Sequence, residues 1–228
     1  MKNRRNLLIY PLLLMGVFLV FASSCKKDDD NGNGNGNNMG NTFTDSRDGN
    51  VYQTVIIGSQ VWMAENLKYL PSVVGPVTES QTIPYYYVYD YDGTSVSAAK
   101  ATANYTTYGV LYNWPAAINA CPAGWHLPSD AEWTVLNDYL GGMYVAGGKL
   151  KETGTMHWGS PNTGATNETG FTALPGGIRG SNTQGFVAIG DYTTWWSATE
   201  MSTDAALKRG VGFDYSFLGS GGGAYKEL

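Results

Sequence analysis

The chain has 228 residues, 14 lysines and arginines against 19 aspartates and glutamates, and a net charge of −5. An acidic chain without a basic stripe repels phosphate backbones, which argues against nucleic acid as a partner. Only 14% of residues are charged, while 30 glycines, 16 tyrosines and 7 tryptophans describe a turn-rich, aromatic-rich chain rather than a helical bundle.

The first element is a leader. Lys2, Arg4 and Arg5 precede an apolar run from Leu7 to Phe21. A basic start and about 15 apolar residues read as a secretory signal peptide over residues 1–24, short for a spanning helix. An uncleaved membrane helix is the alternative. Ala22-Ser23-Ser24-Cys25 follows, and small residues before a cysteine resemble the bacterial lipobox. Cys25 is therefore expected to carry acyl chains and to anchor the protein to a membrane, each buried CH₂ adding about 0.8 kcal/mol. Residues 26–41 hold no aromatic and no β-branched side chain, so residues 25–43 are predicted to be a flexible tether. The Cys-Lys-Lys-Asp-Asp-Asp start resembles the acidic signal that sends some Gram-negative lipoproteins to the outer face of the outer membrane; a plain spacer is the alternative. Loss of Lys2, Arg4 and Arg5 with the leader takes the charge from −5 to −8.

Residues 44–228 suffice for one domain with a sizeable core. Asp48-Gly49-Asn50 signals a turn. VYQTVII (51–57) and QVWM (60–63) are predicted strands, and Gly58-Ser59 between them predicts a two-residue type II′ hairpin. YYYVYDY (85–91) reads as a strand whose alternation puts Tyr85, Tyr87, Tyr89 and Tyr91 on one face and Tyr86 on the other. Residues 98–103 and 116–120 suit short helices. Residues 130–140 suit a longer one, closed by Gly141-Gly142. From Val145 onward the pattern predicts short strands and long loops, at 147–151, 166–174, 177–179, 185–189, 194–199 and 206–213.

CPAGWHLPSDAEW (121–133) is the densest stretch for chemistry. Ser129 and Glu132 match a capping box, and Asp130 in the first turn suits the helix dipole. Trp133, Leu136 and Leu140 fall on one helical stripe and are assigned to the core. Trp125 and Leu127 point away from His126. Cys121 as a nucleophile needs a base and a lowered pKa, and His126 is the nearby candidate. The alternative makes His126 a structural hydrogen-bonder. His126 and His157 are the only histidines and no cysteine–histidine cluster exists, so no metal site is expected. No phosphate loop, Ser-His-Asp pattern or calcium loop is present, and no cofactor is expected.

Several stretches occur together in order: DGNVYQTVIIGSQVWMAENL (48–67), YGVLYNWPAA (108–117), CPAGWHLPSDAEW (121–133), GGKLKE (147–152), TNETGFTALPGGIR (166–179) and WWSATE (195–200). On these motifs residues 44–228 resemble the Fibrobacter succinogenes major paralogous domain of bacterial surface lipoproteins. The resemblance implies an α+β domain, a C-type-lectin-like mixed fold related to the formylglycine-generating branch, with short strands, a few helices and long loops. It implies no activity. Family members usually end in a strand like G-x-S-V-R-C whose cysteine pairs with that of the C-P-x-G-W motif. The chain reaches Leu228 before such a strand, so the resemblance implies a domain lacking its last strand and a Cys121 without its partner. Copper-dependent formylglycine generation needs two cysteines and does not carry over. Calcium-type sugar motifs are absent, and Asn113-Trp114-Pro115 does not replace them.

The leading functional expectation is a lipid-anchored, non-enzymatic binding or adhesion module for a glycan or protein, with Tyr86, Trp195 and Trp196 as weak candidate contacts. Trp195 and Trp196 point to opposite sides of a strand, so one is expected to be buried. An enzyme acting on surface polysaccharide would need a carboxylate pair, for which Asp191, Glu200, Asp204 and Asp214 are available. A structural subunit of a surface fibre is the third reading, in which a partner donates a strand.

Overall fold

The computed structural model describes residues 39–180 and 185–227. The predicted leader, Cys25 and residues 26–38 of the predicted tether lie outside them. The fold is α+β, with ten strands and five helices among the described residues.

β1 (Met39–Thr44), β2 (Val51–Ile57) and β3 (Gln60–Met63) form a three-stranded antiparallel sheet in that order. Gly58 has φ 63°, the positive value a two-residue hairpin turn requires. β1 begins at Met39, inside the stretch predicted as tether. The strand forms because pairing with β2 supplies the backbone partners that its Asn-Gly composition does not advertise.

β4 is only Tyr86–Tyr87, against the predicted seven-residue strand. Tyr86, Tyr87 and Val88 are consecutively buried, so the run is not an alternating face. Burial on both sides overrides the period of two. α1 (Val96–Lys100) and α2 (Ala103–Tyr108) follow, capped by Ser95 and Thr102. β5 (Leu111–Tyr112) pairs with β4. α3 (Trp114–Ala120) starts at Asn113, which is fully buried: its side chain accepts from Ala116 N–H and Tyr85 N–H and donates to Ser80 and Ile83 carbonyls. Leu70, Val88, Tyr105 and Val110 belong to the small core under this region.

α4 (Asp130–Tyr139) carries the predicted capping box. Trp133, Leu136 and Leu140 are 2%, 0% and 4% exposed, as the stripe requires. Gly141 and Gly142 have φ of 96° and 98° and end the helix. α5 (Met143–Leu150) occupies the region predicted as a strand at 147–151. Gly147 and Gly148 disguised it, because interior glycine costs a helix about 1 kcal/mol against alanine. Here they admit neighbouring backbone: a Cβ on Gly147 would sit 2.5 Å from the Phe217 carbonyl oxygen, and Gly148 N–H donates to Ser216 O at 2.9 Å. Lys151 follows, fully buried, its ammonium donating to the Thr163, Gly212 and Tyr215 carbonyls at 2.8–3.0 Å.

Residues 166–174 form no strand beyond one bridge between Lys151 and Ala173. β6 (Gly176–Arg179), β7 (Phe186–Ile189), β8 (Tyr192–Glu200), β9 (Ala205–Gly212) and β10 (Gly219–Tyr225) make a second sheet in the order β10-β9-β8-β6-β7. β10, rich in glycine, carries no sequence signal for a strand; antiparallel pairing with β9 creates it. The main core lies between the two sheets and α4, around Trp62, Trp133, Trp158, Phe171 and Val211.

Candidate functional site

β3 is the edge of its sheet and β8 lies inside the other, between β9 and β6; the two strands face one another across a cavity of about 780 Å³. Drug-sized ligand sites span roughly 300–1,000 Å³. The floor is aromatic. Trp62 of β3 packs on Trp133 at 4.7 Å and on Phe171 at 6.2 Å; Trp195 of β8 packs on the same two rings at 5.9 and 5.6 Å. Asn66 accepts a hydrogen bond from the Trp195 indole at 3.3 Å, which ties β8 to the segment that follows β3.

Trp196 points to the other side of β8, as the alternation requires, and its indole donates to Tyr112 O at 2.8 Å. Its cross-strand partner is Lys208, which lines the cavity. Burial holds the Lys208 amine below its ordinary value. The other basic side chains of the lining have acidic partners: Lys68 with Glu65 at 3.7 Å, Arg179 with Glu79 at 2.6 Å, and His126 with Glu132 at 2.8 Å.

The structure brings Ser129, Glu132 and His126 together, but not as a nucleophile and base. Ser129 hydroxyl donates to Glu132 Oε2 at 2.8 Å, Ser129 N–H donates to the same oxygen at 2.8 Å, and His126 Nε2 meets Oε1. Burial acts to raise the Glu132 carboxyl, yet the Ser129 N–H, His126 and the Ser129 hydroxyl together hold it below its ordinary value. Asp130 is held by Arg209. Both carboxylates thus have structural work, as the capping pattern implied.

Cys121 is a free thiol at the end of α3. Burial pushes its pKa up to about 11, the opposite of an activated nucleophile, and no hydrogen bond joins it to His126. Trp125 stacks edge-on to Phe43 at 5.3 Å. Tyr86 is buried among Tyr69 and Tyr112, so it is a core ring and does not line the cavity. Asp191, Glu200, Asp204 and Asp214 are exposed and line no part of it. Among the described residues no group of three or more His, Cys, Asp or Glu is arranged to hold a metal.

Sequence reasoning missed Lys208 and Arg179. Lys208 offers no signal, since a lysine in a strand reads as solvated. Arg179 is 3% exposed and donates to Pro76 O and Glu227 O as well as to Glu79. Its place beside the two glycines of β6 was a weak hint of close packing.

The family model described as Fibrobacter succinogenes major domain matches residues 55–226. The chain belongs to this family. No curated protein and no solved structure matches it. The matched span takes in β3, the 121–133 stretch, β8 and β9, so the whole cavity lies within the family domain.

Proposed function

We propose that this domain is a non-enzymatic binding module, held at the outer face of the outer membrane by acylated Cys25, whose ligand is a glycan or a protein. A C-type-lectin-like arrangement is part of the same reading. The observation that carries it is the cavity between β3 and β8: large, aromatic-floored and lined by Trp195 and Trp196. Its chemistry favours holding over reacting. The one thiol in the lining is Cys121, raised by burial, and its two carboxylates, Glu65 and Glu132, are engaged with Lys68 and with Ser129 and His126. The sequence carries the anchor: a basic, apolar leader ending in Ala22-Ser23-Ser24-Cys25.

The test is an array of glycans and matrix proteins probed with the purified chain, with Trp196→Ala alongside. Binding that weakens in the variant supports the reading. Turnover of a chromogenic glycoside without binding to any polymer overturns it in favour of an enzyme. Palmitate labelling of wild type that is lost in Cys25→Ala supports the anchor; labelling retained in the variant overturns it.

A further inference from the structure

We propose that the cavity is a strand acceptor: one extended peptide of a partner protein adds to the free edge of β3, runs past the Trp196 stretch of β8 that β6 does not cover, and places a carboxylate on Lys208. This rests on the reading of the cavity as the ligand seat and names the chemistry of the ligand.

The hydrogen-bond registers carry the inference. In an antiparallel pair, residues alternate between turning N–H and C=O toward the partner strand and away from it. Ala64 N–H donates to Gln53 O at 2.8 Å, and the register pairs Val55 with Trp62. Trp62 therefore faces β2, while Val61 and Met63 turn their main-chain groups away from it, toward the cavity they line. On β8, Phe213 N–H donates to Asp191 O at 2.9 Å, and the register pairs Trp195 with Arg209. Trp195 faces β9, and Thr194 and Trp196 turn their main-chain groups outward. β6 meets β8 only at Gly177 and Thr193, so β8 beyond Thr194 has no strand on that side until Ala198 N–H reaches Pro128 O. β3 is the edge of its sheet, so among the described residues no strand pairs with the outward main-chain groups of Val61 and Met63.

Trp62 and Trp195 both touch Phe171 on the cavity floor. Alternate side chains of the guest would rest on Trp133 and Phe171, which asks for apolar residues at every second position. The outward N–H and C=O groups of Val61 and Met63 on an edge strand match a peptide and not a sugar. Lys208 adds selectivity: it has no acidic partner among the described residues, and it stands on the wall beside Trp196. A half-buried ammonium without a counter-charge calls for a carboxylate from the guest.

The experiment selects a random decapeptide library on the full chain and measures the selected peptides by titration against wild type, Val61→Pro and Lys208→Met. Val61→Pro deletes one outward N–H while leaving the β2 ladder intact, a substitution that edge strands tolerate; an unchanged urea midpoint checks the fold of both variants. The expected result is peptides with alternating apolar residues and one Asp or Glu. Their affinity falls about 10-fold or more in Val61→Pro, and their preference for the acid over its amide disappears in Lys208→Met. Peptides bound equally by wild type and Val61→Pro overturn the proposal. So does a chain that pairs with a second copy of itself through this edge, seen as a dimer lost in Val61→Pro. A glycan oligomer that quenches wild-type tryptophan fluorescence, but not that of Trp196→Ala, with no peptide selected, overturns the strand acceptor and leaves the ligand seat standing. No peptide and no array ligand bound overturns both.

Discussion

Trp62 and Trp195 belong to different sheets yet stand on the same two rings, Trp133 and Phe171. This shared floor joins β3 to β8 where no strand does. Trp133 is 2% exposed, so Trp133→Ala removes a whole ring from beneath both strands. Loss of a large buried aromatic costs about 3–5 kcal/mol. Urea unfolding should show that drop, and near-ultraviolet circular dichroism should show the remaining tryptophans loosened.

Lys151 is buried at the end of α5, its ammonium shared by the Thr163, Gly212 and Tyr215 carbonyls and 5.3 Å from the centre of the Trp158 ring. Lys151→Met keeps the stem and leaves the Gly212 and Tyr215 carbonyls without their donor, while the Thr163 carbonyl keeps only the Ser216 hydroxyl at 3.3 Å. Each buried group left unsatisfied costs about 1–3 kcal/mol. The variant should melt far below wild type in calorimetry, whereas Lys149→Met, at a lysine paired only at the surface with Glu168, should change little.

Glu132 is held below its ordinary carboxylate value. A group whose folded pKa is depressed contributes stability that is present above its unfolded pKa, about 4.5, and lost as the pH falls through the folded value. Glu132→Gln should therefore be less stable than wild type at pH 7, and the gap should narrow as the pH falls below about 4. Urea midpoints at pH 7, 5 and 3.5 check this.

Cys121 carries a thiol raised to about 11 by burial. At pH 7.5 the native chain should react with iodoacetamide at least about 10-fold more slowly than the urea-unfolded chain, since only the thiolate attacks. Mass spectrometry of the labelled peptide reads both rates.

Gly148 lies where α5 meets the 162–166 turn. A Cβ there would overlap the Gly164 carbonyl oxygen, which is backbone and cannot rotate away. Gly148→Ala should destabilise by about 1–3 kcal/mol, although alanine is the better helix former. An increase in thermal midpoint would contradict this packing.

Local signals carried into the fold where they did not depend on neighbours. The Gly58-Ser59 hairpin, the Ser129–Glu132 box, the stop at Gly141 and the strands β6 to β9 follow from turn chemistry, capping and β-branched runs. The failures share one cause. YYYVYDY is buried on successive residues, so its period says nothing; α5 hides behind two glycines; β10 is made by its pairing with β9. In each case the deciding partner is distant in sequence. Of the site, the opposed directions of Trp195 and Trp196 were legible, while the role of Lys208 was not.

The sequence by itself determined that this is a glycine- and aromatic-rich α+β domain of a known family, with its capping box and core stripe in place. Those properties rest on residues within a few positions of one another, or on motifs taken together. Only the tertiary structure decided that Cys121 is apart from His126, that Tyr86 is core, and that β3 and β8 face each other across an open cavity. A cavity belongs to no single stretch: it exists where two sheets meet, which depends on register and packing between residues more than a hundred positions apart.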